Sequence, residues 1–227
     1  NHLANQLPEF LRKSLTTQHR MSPPIGNLIS ECFYHGALKS APRASAVCLN
    51  GVMARPVVWF STTKFTNRGS RQVGRSYVND LEVQQLIAFL NRCNFVLTKR
   101  KDKGRKFSVA VLTGYRPQKE RLHSAVETKR REWDSFSSIF VNVVDAFQGR
   151  EADVLVFSVT RSDKRGLGFL REMERINVAL SRGKEYLAIV GDHLFCQEAD
   201  SKQNPLKDVL DYIRRHPDDC LLDEVIP

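Results

Sequence analysis

The sequence is poor in cysteine and has no cysteine pair of the kind that builds a site. Its five cysteines, Cys32, Cys48, Cys93, Cys196 and Cys220, are odd in number, widely spaced and free of any C-x-x-C. Reduced thiols in a cytosol or nucleus fit this spacing better than disulfides or zinc, and no metal site is assigned. No apolar run approaches the ~20 residues that a membrane-spanning helix needs, which argues against an integral membrane protein. The longest runs are about one strand in length, as at Val154 to Phe157. Nothing near Asn1 reads as a charged segment followed by an apolar one, so no signal peptide is expected. The chain opens on Asn1 rather than Met, which reads as the start of a fragment. Internal repeats and low-complexity linkers are also missing.

What is present is an ordinary globular composition with a surplus of positive charge. The chain has 227 residues, 41% hydrophobic and 26% charged, and 35 Lys+Arg against 25 Asp+Glu give a net charge of +10. Disorder, collagen-like repeats and coiled coils are poor explanations of such proportions. The length can bury a real core, and a single domain is the simplest expectation. The surplus charge suits nucleic acid, nucleotide phosphate or an acidic membrane surface, and charge alone does not choose among them.

Apolar, β-branched runs predict buried strands at Val57 to Phe60, Phe107 to Leu112, Phe140 to Val144, Val154 to Val159 and Tyr186 to Val190. Near-continuous runs of this kind suit a parallel sheet covered on both faces. Helical patterns lie between them. Asn79 with Glu82 three residues on reads as a capping box, followed by apolar Leu81, Val83, Leu86, Ile87 and Leu90. Pro117 and Pro205 can each open a helix, the first with Leu122, Ala125 and Val126 inward, the second with Leu206, Val209, Leu210 and Ile213 inward. Alternating strands and helices predict an α/β domain. Two stretches break the pattern. Thr62 to Ser76, rich in Gly, Ser and Arg, is expected to be partly disordered, and Thr98 to Lys106 reads as a solvated basic loop.

Three segments concentrate chemistry at the predicted ends of strands or starts of helices, where open α/β sheets bind ligands. They run from Gln18 to Ile25, from Val144 to Glu151 and from Glu174 to Arg182. In the third, Arg175 and Arg182 lie two helical turns apart and would share a face. They need either an anionic ligand or ordinary salt bridges to Glu172, Glu174 or Glu185. In the second, Gly149 permits a tight turn between Gln148 and Glu151, and a turn or cap role for Asp145 or Glu151 is the plainer alternative.

Together the segments resemble the motifs of the second RecA-like domain of superfamily 1 helicases of the 5′-to-3′ branch, the group that contains the helicase of nonsense-mediated mRNA decay. The pattern Q-Y-R-M-H-P corresponds to Gln18-His19-Arg20-Met21-Ser22-Pro23, and F-Y-x-G-x-L to Phe33 through Leu38. The pattern V-D-x-F-Q-G-x-E-x-D matches Val144 through Asp153, followed by S-x-x-R-S at Ser158 to Ser162 and G-F-L at Gly168 to Leu170. The motif R-x-N-V-A-L-S/T-R is Arg175 through Arg182. The resemblance covers roughly residues 15 to 215, far beyond chance for so many motifs in order.

The resemblance implies a RecA-like parallel sheet flanked by helices. It also implies that Arg20 and Arg182 are arginine fingers reaching the γ-phosphate of ATP bound between two such domains. A planar guanidinium placed where negative charge accumulates suits phosphoryl transfer. Gln18, His19, Gly149 and Glu151 are the further nucleotide-facing positions, Glu151 resembling the carboxylate that binds the ribose. Arg175 is expected to support the finger helix by pairing with an acid, and Phe147 to pack in the core. Nucleic-acid contacts are implied at Thr113, Tyr115, Arg116, Val144 and Asp145, with Tyr115 also able to pack under Pro117's helix. The sequence departs from the family at His19, where Tyr is usual, at Gly114, where Pro is usual, and at Val144, where Ser or Thr would supply a donor.

The largest departure is the lack of a G-x-x-x-x-G-K-S/T loop, whose amides cradle phosphates and whose hydroxyl holds Mg²⁺. The chain alone is therefore expected to be inactive, with Mg²⁺ and the P-loop supplied by a first RecA-like domain upstream. The expected whole is an ATP-dependent helicase acting on single-stranded RNA or DNA, with no membrane partner, in the cytoplasm or, alternatively, the nucleus. A non-hydrolysing binding or regulatory module and a nucleotide-dependent switch without unwinding are the alternatives.

Overall fold

The structure, a computed structural model, describes residues 16–42, 49, 51–99, 105–163, 166–199 and 201–224. In chain order its elements are β1 (Thr17–Gln18), α1 (Pro23–Tyr34), β2 (Lys39–Ser40), β3 (Val57–Ser61), β4 (Arg71–Val73), β5 (Ser76–Val78), α2 (Asp80–Thr98), β6 (Phe107–Thr113), α3 (Arg116–Lys129), β7 (Phe136–Val143), β8 (Ala152–Ser158), α4 (Met173–Leu180), β9 (Gly183–Gly191), α5 (His193–Glu198), α6 (Pro205–Arg215) and β10 (Cys220–Glu224).

Six strands form one sheet in the order β10-β3-β9-β8-β6-β7, and every neighbouring pair is parallel. The apolar runs are near-continuous because the sheet is covered on both sides. Trp59, Leu155, Phe157 and Leu187 point into a core completed by Ile25 and Leu28 of α1, Ile176 and Leu180 of α4, and Leu206 and Leu210 of α6. Their strand neighbours Val58, Val154, Val156 and Ala188 point into a second core completed by Leu86 and Leu90 of α2 and Leu122 and Val126 of α3. Alternate residues of one strand thus serve opposite cores. The architecture is the α/β, RecA-like parallel sheet that the motifs imply.

All five expected strands are present with shifted ends. β7 begins at Phe136, four residues before the expected start, and stops at Val143, so Val144 falls in the 3₁₀ turn Val144–Phe147. β10 was not foreseen. It is a short edge strand whose Cys220 is buried and whose Glu224 is exposed, so it lacks the full apolar run of a central strand. The expectation of disorder over Thr62 to Ser76 is corrected. The segment contains β4, which pairs antiparallel with β5 through Arg71–Val78, Gln72–Tyr77 and Val73–Ser76, and Gly74 turns at a φ of 58°. Residues 100–104 of the basic loop lie outside the described residues, as does Cys48, and the other four cysteines are free thiols.

The Asn79 cap forms as expected, its Oδ1 accepting from the Glu82 amide at 3.1 Å. The reciprocal half of the box does not. Asn79 N donates to Gln118 Oε1 at 2.8 Å, and the buried Glu82 carboxylate accepts from Ser158 Oγ at 2.6 Å and Thr160 N at 2.8 Å. The helix start is thereby tied to the carboxyl end of β8.

Candidate functional site

The turn that carries Arg20 is shaped by its neighbour. Gln18 accepts from Met21 N at 2.8 Å and donates to Met21 O at 3.0 Å and Ser40 Oγ at 2.9 Å. Gly26 lets this amide approach α1, since a Cβ there would lie 2.4 Å from Gln18 Nε2. The start of α1 is then docked on β9, with Ser22 N donating to Lys184 O at 2.7 Å and Ser22 Oγ to Glu185 O at 3.3 Å. Gln18 therefore braces the loop, while His19 and Arg20 are exposed beside it.

The same docking brings together residues from three distant segments. Glu151 immediately precedes β8 and Arg182 immediately precedes β9, and these strands pair in register through Ala152 and Gly183. Arg20 Nε donates to Glu151 Oε2 at 3.2 Å across 131 positions of sequence. Lys184 lies 3.9 Å from Glu151 Oε1 and 3.1 Å from Asp153 Oδ1. Burial, and then the positive charge of Arg20, hold the Arg182 guanidinium below its ordinary pKa, while Tyr34 and Glu151 act in the opposite direction. Two guanidiniums and a lysine thus share a partly desolvated patch with one exposed carboxylate. Gly149, at a φ of 80°, supplies the left-handed turn that returns the chain to Glu151.

This patch sits at the amino ends of β8 and β9, whereas the general rule for open α/β sheets pointed to the carboxyl ends. A second expectation also changes. α4 ends at Leu180, so Arg175 and Arg182 do not share a helix face. The Ser181 amide closes the helix onto Ala179 O and Asn177 O, and Arg182 Nε donates to Val178 O at 2.9 Å. Arg175 does pair with acids, reaching Asp145 at 3.3 Å and Glu172 at 3.0 Å. Tyr34 stands exposed beside this helix and accepts from Asn177 Nδ2 at 3.1 Å.

The residues expected to meet nucleic acid do not form one surface. Thr113 closes β6 at the carboxyl edge, but its side chain is fully buried and its hydroxyl is 2.8 Å from that of Thr160. Tyr115 is buried, edge-on to Tyr77 at 5.8 Å and to Phe169 at 6.1 Å. Val144 and Phe147 are core residues. Arg116 is exposed at the start of α3, and Asp145 is exposed but engaged by Arg175. Of this set, Arg116 alone presents an exposed cation at the carboxyl edge.

Sequence reasoning missed the groups that hold these parts in place. Asp153 accepts from Ser108 N at 2.8 Å, Ser108 Oγ at 2.7 Å and Arg105 at 2.9 Å. Burial pushes this carboxyl up, but the hydrogen bonds from Ser108 and Lys184 outweigh it and leave it below the usual range. The signals were present: Asp153 ends the V-D-x-F-Q-G-x-E-x-D match and Lys184 stands two places after Arg182. Arg161, the arginine of S-x-x-R-S, is likewise buried, 3.9 Å from the Tyr77 ring centroid and 2.8 Å from Asp163.

Residues 2–194 match the family described as an AAA domain. The chain belongs to that family, the C-terminal region of superfamily 1 helicases. Helicase sen1 of Schizosaccharomyces pombe is 31% identical over 185 residues, which are 78% of this chain and 10% of that protein. The regulator of nonsense transcripts 1 homolog of Neurospora crassa is 32% identical over 190 residues, 81% of this chain and 17% of that protein. ATP-dependent helicase NAM7 of Saccharomyces cerevisiae is 28% identical over 185 residues, 78% of this chain and 18% of that protein. The chain therefore spans less than a fifth of the length of these relatives. A solved C-terminal domain of a possible DNA helicase from a Lactobacillus aligns with a TM-score of 0.45 at 12% identity, covering 85% of this chain and 94% of that one.

Proposed function

We propose that this AAA-family chain is the second motor domain of an ATP-dependent nucleic-acid helicase or translocase. Arg20 and Arg182 serve as arginine fingers on ATP held between two RecA-like domains, and the carboxyl edge of the sheet forms part of a single-strand channel. The observation that carries this reading is the convergence of Arg20, Glu151 and Arg182 on one patch at the amino ends of β8 and β9.

The donor set suits the ligand. Two guanidiniums and Lys184 match a polyphosphate, and the exposed Glu151 carboxylate can accept from ribose hydroxyls. ATP supplies the transferable γ-phosphoryl group, and the chain's own contribution is positive charge fixed where negative charge develops. Among the described residues no cluster of three His, Cys, Asp or Glu side chains is placed to hold a metal. The sequence has no G-x-x-x-x-G-K-S/T loop, so the reading leaves Mg²⁺ and the P-loop to an upstream RecA-like domain of the same protein, with the chain alone inactive. No helix among the described residues is long and apolar enough to cross a membrane. Reduced cysteines favour the cytoplasm or nucleus as the place of action.

The test is Arg182→Ala in the protein that carries both this chain and a P-loop domain. Nucleotide binding is expected to persist while turnover falls about 10³-fold or more, the scale of a lost arginine finger. Unchanged turnover would overturn the assignment.

A further inference from the structure

The hairpin of β4 and β5 does not join the main sheet, yet it is firmly mounted. Ser70 N donates to Ser162 Oγ at 3.1 Å and Ser70 Oγ to Asp163 Oδ2 at 3.0 Å. Asn79 Nδ2 donates to Arg68 O at 2.9 Å, and the Tyr77 ring lies between Arg161 and Tyr115. All three residues of β4 are exposed, so the hairpin is held from one side and presents the other.

Between the hairpin and the first turns of α3 lies a cleft of about 530 Å³. Its apolar floor is Val73, Val78 and Pro117, and Arg71, Arg116 and Arg121 stand around it. Val73 is 39% exposed, so its side chain is open to a ligand at the cleft. Arg75 is exposed in the turn that joins β4 to β5, beyond the residues that line the cleft. The acids nearby are few. Asp80 is shared between Arg71 at 3.7 Å and Arg121 at 3.5 Å, both exposed pairs, and Glu120 is engaged by Lys119 at 3.1 Å. Arg75 and Arg116 have no carboxylate within ion-pair distance among the described residues.

We infer that this cleft is a binding surface for single-stranded nucleic acid, with phosphates tracking the Arg71, Arg75, Arg116 and Arg121 guanidiniums and a base resting on Val73 and Pro117. It deepens the channel assignment above and rests on it, since Arg116 follows directly from the β6 edge that ends in Thr113. Guanidiniums spaced around an apolar floor match the alternation of charge and flat apolar surface in a single strand. The surface extends the proposed channel onto a hairpin that the family motifs do not include and supplies exposed cations where Thr113 and Val144 present no side-chain donor at the carboxyl edge.

The experiment is fluorescence anisotropy of the chain with labelled 12-nucleotide dT and U strands at several salt concentrations. Wild type is compared with Arg71→Gln/Arg75→Gln and with Arg71→Lys/Arg75→Lys. Removing two phosphate contacts is expected to lower affinity about tenfold or more and to flatten the plot of log K against log salt by about 1.4, the single-strand value for two charges. The lysine pair is expected to keep the slope, and thermal melts check that both variants fold. If wild type binds and the Gln pair binds identically with the same slope, the hairpin surface is overturned and the channel stands. If wild type binds neither strand, the channel reading falls and the hairpin surface with it. If polyglutamate displaces the strand as well as unlabelled dT does, the cleft takes acidic peptide instead and the proposal is overturned.

Discussion

Arg20 donates to Glu151 at 3.2 Å, so one of the two finger candidates and the carboxylate proposed for the ribose are joined by an ion pair. Their side chains are 40% and 46% exposed, and pairs so placed contribute about 0.2–1 kcal/mol to stability. Fold and function are therefore separable at this contact. The residues can be changed without collapsing the sheet that presents them.

Glu151→Gln in the protein with its P-loop domain should raise KM for ATP about tenfold, the cost of a lost charged hydrogen bond, with a smaller effect on kcat. The melting temperature of the chain should move by only a few degrees. Steady-state kinetics and a thermal melt check both. A large loss of stability with unchanged KM would make the pair a structural contact.

Gly114 stands where the family usually has Pro, and the structure supplies a reason for glycine. A Cβ at this position would lie 2.2 Å from the Phe169 ring. Gly114→Pro should therefore destabilise the chain by about 1–3 kcal/mol through overpacking, although Pro would stiffen the unfolded chain. Phe169→Ala should relieve part of that loss, and a double-mutant cycle from urea unfolding measures the coupling. Additive effects would rule out the steric cause.

Much of the fold was legible because burial on both faces leaves a plain mark. The runs around Val111, Val156 and Ile189 are apolar at successive positions, as only two cores can make them. β10 left no such mark because an edge strand buries less, and the β4–β5 hairpin was hidden by Arg, Gln and Gly residues that suit a solvated loop equally well. In the candidate site, Arg20, Glu151 and Arg182 were found through local motifs. Their juxtaposition depends on Ser22 reaching the backbone of Lys184 and Glu185, a contact across more than 160 positions. The hydroxyl of Thr113 shows the converse limit. A motif placed the residue at the right strand end, but burial against Thr160 is a tertiary fact that no local pattern carries.

Glu82 is the buried acid from which a pH dependence of stability should be read. Burial pushes its carboxyl up to about 8 from 4.5, against hydrogen bonds from Ser158 and Thr160 and with Asp192 adding to the rise. Between those values the folded chain holds a proton that the unfolded chain has released. Its contribution is fully present below about 4.5 and is lost as pH rises through about 8. Glu82→Gln, which keeps the shape without the titration, should flatten the fall in melting temperature from pH 5 to pH 8. Parallel slopes for wild type and variant would remove Glu82 as the cause.

Asp153 has the opposite sign and a different consequence. It is 5% exposed, and it neutralises Arg105 and Lys184 while accepting both donors of Ser108. Its lowered pKa makes its stabilisation present above the unfolded carboxyl value and lost as pH falls through the folded one. Asp153→Ala takes the buried acceptor from the Ser108 amide and hydroxyl, while Arg105 keeps Glu185 at 2.6 Å and Lys184 keeps Glu151, so it should cost about 1–3 kcal/mol in urea unfolding at neutral pH. The same change releases Lys184, which stands 3.9 Å from Glu151, so whatever folded fraction remains should also hold nucleotide less tightly. Lys184→Met separates the two effects, because it should weaken nucleotide binding while Ser108 and Arg105 still satisfy Asp153. Equal loss of stability in both variants would show that the lysine serves the fold alone.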